Sequence, residues 1–487
     1  IEMALFVGLV SKDPKTLEII PAVADRWTIS DNGLVYDFYM RDSAKWSNGD
    51  PLVAEDFVNS WKRALSPKLP NPYAGSFYSL VNAEKYNKGK ITDFSQVGVK
   101  AIDQHHLQIT LEFPTPYFLQ VLDHHSTFPV HIPTILKYGQ FDEIGTRWTR
   151  PGNFVGNGAF IPSEWTPGKV FSVKKNNNYW DANNVKLQEI HFYPIEKTLV
   201  EERMFKAGQL HKTEFMPTDK IPIYKAAGAK EFRSYLYFGN YFYLFNVTKP
   251  PLNDARVRKA LAYSIDRDSL TRNVAKGGQV PSFTLVPPDT LGYNSDKKMV
   301  QNIELARKLL AEAGFPDGKG FPKLELIYNT LEDHQKIAVA IQQMWKNALN
   351  IDIAIQNQEW KVFLANQDIL NYQISRRGWI GDYLDPFTFL ELFISGAGNN
   401  NTGWSNADYD RNLELSKAAK TREERYDYLR RAEEILLDEA PFLPIYYYTT
   451  NYLLSPDVKG YYPNIMDYHP YKYIYLESDQ SKVDVHD

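Results

Sequence analysis

Leu324-Glu325-Leu326-Ile327-Tyr328 is followed by Ile337, Ile341, Met344, Trp345 and Ala348, and then by Ile351-Asp352-Ile353-Ala354-Ile355. The first run is short and apolar, as a buried strand is. The middle set recurs every three or four residues, which is one face of a helix, and the last places isoleucine at alternate positions, the period of a strand. Strand, helix and strand in that order form a βαβ unit, so the fold class is α/β. The same grammar extends outward. Glu304 to Ala313 reads as a helix stopped by Gly314, and Thr421 to Leu437 as a long helix, with Pro441 and Pro444 leading into a Tyr-rich strand at Ile445 to Tyr448. In the N-terminal half, Leu34-Tyr36-Phe38-Met40 and Leu107-Ile109-Leu111-Phe113 alternate as strands. Between them Phe57, Trp61 and Leu65 take helical spacing, after a turn at Trp46-Ser47-Asn48-Gly49-Asp50-Pro51.

A chain of 487 residues exceeds one ordinary core, so two or three lobes are expected. Lys plus Arg number 55 against 59 Asp plus Glu, a formal net charge of −4 with no long basic run, which argues against nucleic acid as a partner. There is no cysteine, which removes disulfides, thiolate metal sites and thiol nucleophiles together. No stretch approaches the ~18 consecutive apolar residues of a membrane helix. Ile1-Glu2-Met3-Ala4-Leu5-Phe6 opens without a charged n-region, so the chain is expected to be soluble, any signal or lipid anchor being removed or outside it. Aromatic content is 14%, with 32 Tyr clustered at Tyr235 to Phe245 and Tyr446 to Tyr448. Any one of these rings reads first as strand or core packing, while together they suit a wet, adaptable cavity. The polar Ser478 to Asp487 reads as a loose tail.

Catalytic signatures are missing. The sequence has no Gly-x-Ser-x-Gly elbow, no His-Glu-x-x-His, no Walker loop and no dinucleotide fingerprint, and Gly314 to Gly320 has the wrong spacing for a phosphate loop. His105-His106 and Asp123-His124-His125 invite a metal reading, but neighbours on a strand point to opposite faces and do not converge on one ion. Carboxylate pairs such as Asp123 with Asp142 arise by chance among 59 acids. Neither a cofactor nor a metal is expected, and the chain reads as a binder rather than an enzyme.

Several segments, in order, resemble the oligopeptide-binding family of ABC-importer solute receptors (extracellular solute-binding proteins of family 5). They are Ala44 to Trp61, Gly156-Asn157-Gly158-Ala159-Phe160 with Asn178-Tyr179-Trp180-Asp181, Leu252 to Leu261, Asn357-Gln358-Glu359-Trp360-Lys361, and Arg376-Arg377-Gly378-Trp379-Ile380-Gly381-Asp382-Tyr383. The resemblance implies a periplasmic-binding-protein type II fold, with two ligand-binding lobes, an additional domain and the ligand enclosed in the cleft. Lobe I would comprise 1–8, 153–234 and 450–487, additional domain II 9–152, and lobe III 235–449. It implies that Asp382 meets the α-ammonium of a short peptide and that Gly378, Trp379 and Ile380 bond the peptide main chain like an added strand. Arg376 and His334 would meet its carboxylate end, and Tyr73, Asn246, Trp360, Trp379, Asn399 and Tyr448 would line the cavity.

An enclosed ammonium loses several kcal/mol of hydration unless it meets a carboxylate with good hydrogen bonds, so such a receptor needs a buried acid, the role given to Asp382. From local pattern alone Asp382 is a turn acid in Gly381-Asp382-Tyr383-Leu384-Asp385-Pro386, and only the resemblance reverses that. Three departures from the family pattern stand out. The N-terminal segment that pairs with the far side of the ligand backbone lies ahead of Ile1, Gln367 replaces an arginine that faces a ligand side chain in some members, and Val53 replaces the usual Thr helix cap. The expected partners are short peptides with a free N-terminus and the permease of an ABC importer. The expected location is periplasmic or at the cell surface, as a monomer, touching the membrane only through a removed lipid anchor. Alternatives stay open: the same fold holding a dipeptide, murein peptide, nickel chelate or oligosaccharide, a hydrolase using paired carboxylates, and an added sensor or chaperone role.

Overall fold

The structure is a computed structural model that describes residues 1–69, 71, 73–288 and 290–477, so the expected tail at Ser478 to Asp487 lies outside the described residues. The chain separates into two compact units, one formed by Ile1–Thr213 together with the segment from Leu454 onward, the other by Glu214–Leu453.

The first unit carries an antiparallel sheet in the order Ala24–Ile29, Val35–Met40, His106–Thr110, Val99–Ala101. Alternation dictates its inner face: Tyr36, Phe38, Met40, Leu107 and Ile109 are buried while their neighbours are more accessible. Helix Ala54–Ala64 lays Phe57 and Trp61 into the same core, and the Trp61 indole N–H donates to the Thr127 carbonyl at 2.8 Å. Each fully buried ring of this kind stabilises the unit by about 2–3 kcal/mol. With Val at the cap position, the helix start is secured from within. The Asp56 carboxylate accepts from the Val53 N–H at 2.9 Å and from the Trp46 indole at 3.1 Å, which ties helix and turn together. The turn closes through Gly49, whose φ of +96° is open to glycine at low cost. A separate three-stranded sheet, Phe160–Thr166, Val170–Lys175 and Glu189–Phe192, packs Phe160 and Val173 against Ala4 and Leu5.

The second unit is built on a six-stranded mixed sheet in the order Val280–Pro281, Phe442–Leu453, Phe232–Phe245, Ile374–Ile380, Leu324–Asn329, Ile353–Gln358. The βαβ unit read from the sequence is present: 324–329 runs parallel to 353–358, joined by helix Glu332–Leu349. That helix buries Ile337, Ile341 and Trp345 and leaves Met344 and Ala348 half-buried at the margin of its stripe. The Tyr-rich runs prove to be the two long central strands, 232–245 and 442–453, paired antiparallel, and they cross the positions 234/235 and 449/450 where lobe boundaries are expected. Helix Arg422–Glu439 begins at Thr421, whose hydroxyl accepts from the Glu424 N–H, and buries Leu429, Ala432 and Leu436.

Candidate functional site

The 374–380 strand is bonded along one edge and open along part of the other. Its seven residues pair antiparallel with 239–245, from Gly239 opposite Ile380 to Phe245 opposite Ile374. On the far side, 324–329 meets it only at Ile374 and Ser375, while remaining paired to 353–358 along its whole length. In an antiparallel pair, successive residues send their main-chain groups to alternate edges. The Gly381 N–H donates to the Phe238 carbonyl and the Asn246 N–H to the Gln373 carbonyl. By alternation residues 375, 377 and 379 face the 232–245 strand, and Arg376, Gly378 and Ile380 turn their N–H and C=O groups to the other edge. Gln367 Nε2 donates to the Arg376 carbonyl at 2.9 Å. No strand among the described residues pairs with Gly378 or Ile380 on that edge.

Side chains alternate as well. Arg376 lies against Tyr448, whose hydroxyl accepts from Nη2 at 2.9 Å, and its guanidinium stands 4.7 Å from the centre of the Tyr241 ring. Asn329 Oδ1 accepts weakly from Nη1 at 3.4 Å. Tyr241 stacks on Tyr446, and its hydroxyl is 3.3 Å from Nδ1 of the buried His334. Burial, and then the nearby guanidinium, push the His334 imidazole down to about 3, so it is neutral at physiological pH. Burial works against the charge of Arg376, but Tyr448, Tyr241 and Tyr446 more than compensate and hold it above its ordinary value. Its Nε is buried without a hydrogen-bond partner, and its polar contacts among the described residues are all neutral. The structure therefore brings together Arg376, His334 and Tyr448, three of the expected residues, and adds Tyr241 as their common contact.

Gly378 makes this arrangement possible. A Cβ there would lie 2.5 Å from the Tyr448 hydroxyl and 3.2 Å from an Arg376 nitrogen, so glycine lets the tyrosine cross the strand. On the opposite face Arg377 donates to Gln367 Oε1 at 3.0 Å and Asn401 Oδ1 at 2.9 Å. Gln367, fully buried, also donates to Ser375 Oγ at 2.8 Å. Its side chain braces the strand from beneath.

Past the strand, Gly381 packs against the Phe238 ring, and the chain turns. The Asp382 N–H donates to Thr388 Oγ1 at 3.1 Å. Asp382 is exposed rather than enclosed, and no cation among the described residues pairs with it; desolvation alone raises its carboxyl above the usual range. Asp385 behaves oppositely. It receives two hydrogen bonds from Arg425, at 2.8 and 2.6 Å, with both side chains 7% exposed. This pair fastens the turn to helix 422–439. Nothing in the local sequence announces it, since Asp385 and Arg425 are 40 residues apart.

The other expected residues are dispersed. Trp379 is half-buried, its indole N–H without a hydrogen-bond partner, and Ile380 is exposed at the strand end. Trp360 is exposed at the start of helix Trp360–Asp368 and stacks on Phe363. Asn399 is exposed in the loop preceding helix Ala407–Ala418. Asn246 is fully buried and its amide is consumed by the scaffold: it donates to the Leu370 and Tyr372 carbonyls and accepts from the Thr248 N–H and hydroxyl. Tyr73 belongs to the first unit, exposed and packed against the rings of His124 and His125. Among the described residues no group of three or more His, Cys, Asp or Glu is placed to hold a metal ion. His106 instead pairs with Asp37 at 2.7 Å.

The sequence family described as "Bacterial extracellular solute-binding proteins, family 5 Middle" matches residues 18–401. The periplasmic murein peptide-binding protein MppA of Escherichia coli (strain K12) is 37% identical over 469 residues, covering 94% of this chain and 84% of that protein. The oligopeptide-binding protein OppA of Bacillus subtilis (strain 168) is 36% identical over 452 residues, covering 90% and 81%. A crystal structure of a periplasmic oligopeptide-binding protein, OppAIV, from Borrelia burgdorferi superposes with a TM-score of 0.82 at 33% identity, covering 98% of this chain and 94% of that one.

Proposed function

This chain belongs to the bacterial extracellular solute-binding proteins of family 5, and on that premise we propose that it captures short peptides that have a free N-terminus and delivers them to a membrane permease. It is an extracytoplasmic solute-binding protein of an ABC importer, with the periplasmic-binding-protein type II fold and its two α/β lobes.

The observation that carries the peptide reading is the open edge of the 374–380 strand, with a carboxylate beyond one end and a guanidinium near the other that meet no opposite charge among the described residues. A peptide laid along the main-chain groups of Gly378 and Ile380 adds a strand, which is sequence-blind, so side chains are free to vary. Its ammonium pairs with Asp382 and is desolvated as the site closes, while Arg376 and neutral His334 receive the carboxylate. Trp360, Trp379, Asn399, Tyr73 and Tyr448 line the side-chain pockets, with Asn246 supporting them from behind. Hinge closure of lobe I (1–8, 153–234, 450–487) on lobe III (235–449), with 9–152 as the additional domain, presents the loaded receptor to the permease. The receptor acts as a monomer, held to the membrane by a lipid anchor or free, and makes or breaks no bond in its cargo.

Titration calorimetry with tri- to pentapeptides tests this. Heat is expected with free-amine peptides and none with their N-acetylated forms, and peptides are recovered intact after long incubation. Equal binding of both forms removes the ammonium role, and heat with a glycan but none with any peptide overturns the reading.

A further inference from the structure

Buried arginines in the second unit are spent in two ways. Arg425 meets the Asp385 carboxylate, while Arg258 gives its N–H groups to the main-chain carbonyls of Leu252, Glu439 and Ala440, and Arg267 to those of Ala262, Ile265 and Pro444. Arg376 follows neither pattern. A guanidinium has five N–H donors, and the acceptors beside Arg376 are the Tyr448 hydroxyl at 2.9 Å and, weakly, Asn329 Oδ1 at 3.4 Å, with the Tyr241 ring centre 4.7 Å away. Its Nε is buried without a partner, and so is the hydroxyl of Tyr243, which stands directly opposite it on the neighbouring strand. The acids at the start of the helix that carries His334, Glu332 and Asp333, are engaged by Lys336 at 2.7 and 3.7 Å. The side chains that meet Arg376 among the described residues are therefore neutral, and the Tyr448 hydroxyl, having accepted from Nη2, keeps its own proton to donate.

We infer that in the peptide-free protein Arg376 and Tyr448 together hold one small monovalent inorganic anion, chloride in a saline medium, and that a peptide carboxylate binds there by displacing it. The displacement rests on the peptide reading above; the anion rests on the donors left over at Arg376. A guanidinium stays charged at any physiological pH, and in a half-buried place its attraction for an anion is several times that in bulk water. The spare N–H groups and the Tyr448 proton supply hydrogen bonds in place of those the ion loses with its water. A doubly charged ion is disfavoured, because one guanidinium leaves half of its charge unmatched and desolvated. Neutral His334, with Nδ1 3.3 Å from the Tyr241 hydroxyl, adds no positive charge to hold a second ion. Affinity for peptides with a free carboxylate then falls as chloride rises, whereas affinity for their C-terminal amides does not.

The test is calorimetry of the full chain, freed of bound peptide by unfolding and refolding, with tri-L-alanine and with tri-L-alanine amide in about 10 and about 150 mM sodium chloride, sodium gluconate holding the ionic strength constant. The free acid should bind roughly three- to eightfold more weakly at the higher chloride, the ratio that direct competition gives for an anion held at about 10–40 mM, and the amide equally at both. Arg376→Gln should remove the chloride dependence. A second measurement needs neither variant nor peptide: crystals of the peptide-free protein in sodium bromide should show anomalous bromide density within hydrogen-bond reach of the Arg376 guanidinium. Absence of that density overturns the inference, as does a tripeptide affinity that ignores chloride, or an equal loss for acid and amide, which marks general screening; the peptide reading survives each of these. Bromide at Arg376 with no tripeptide binding at any salt upholds the anion and overturns the peptide reading.

Discussion

Near one end of the 374–380 strand a half-buried guanidinium has no anion beside it among the described residues; just past the other end an exposed carboxylate has no cation beside it among them. Arg376 lies against Tyr241 and Tyr448 and also meets Asn329. Asp382 stands on a turn held by its own N–H to Thr388. Three residues further on, Asp385 is buried and fully matched by Arg425. Two acids in one turn are thus treated in opposite ways. The one the fold needs for itself is withdrawn from water and paired; the other remains available. Burial of Arg376 carries a desolvation cost that the surrounding tyrosines more than offset, so the guanidinium keeps its charge with only neutral partners among the described residues, as the proposed carboxylate role requires. Asp382 reaches solvent but is already partly desolvated by the surrounding protein, which raises its carboxyl, and in the proposed role a ligand would complete that desolvation.

The largest effect is expected at the buried Asp385–Arg425 pair. Asp385→Ala strands the Arg425 charge in the interior and should lower stability by about 3–5 kcal/mol, read from the urea unfolding midpoint. If stability is unchanged, the contrast between the two acids is empty. Asp382→Asn should leave that midpoint in place yet weaken binding of free-amine tripeptides by roughly 2–5 kcal/mol in calorimetry. A shifted midpoint with intact binding would reverse the assignment of the two roles. The smallest effect is expected at the Arg376 end. Gly378→Ala introduces a Cβ that collides with the Tyr448 hydroxyl and should cost about 1–3 kcal/mol of peptide affinity through the displaced Tyr448–Arg376 contact. That loss should be greater for peptides with a free carboxylate than for their C-terminal amides, and an equal loss for both would place the disturbance in the main-chain edge instead.

Much of this candidate site can be named from the sequence, though for unequal reasons. Arg376, Gly378, Trp379, Ile380 and Asp382 sit in one short segment, so a motif captures them together. His334 and Tyr448 lie far away in sequence, and only the resemblance pointed to them. In the sequence Tyr241 is merely one ring in an aromatic run, yet it is the contact shared by Arg376 and His334. Gln367 stands where some family members carry an arginine facing a ligand side chain, and its own side chain is spent beneath the strand on Ser375, Arg376 and Arg377. The resemblance puts Asn246 at the cavity wall, while its amide is satisfied by carbonyls and Thr248.

By itself the sequence determined what is periodic and local: the alternation that buries Tyr36, Phe38 and Met40, the helix stripe of Ile337, Ile341 and Trp345, the βαβ order, and the stop at Gly314. Each follows from geometry repeating every two or about 3.6 residues, which neighbours in the chain suffice to specify. Only the tertiary structure decided where the 324–329 strand leaves the 374–380 strand, which arginine finds a carboxylate and which finds tyrosines, and which of two acids is buried. Those outcomes depend on contacts between residues 40 positions apart, as Asp385 and Arg425 are, and up to 141 apart, as Gly239 and Ile380 are, and their energies are set by desolvation and pairing in three dimensions. No local pattern carries that information.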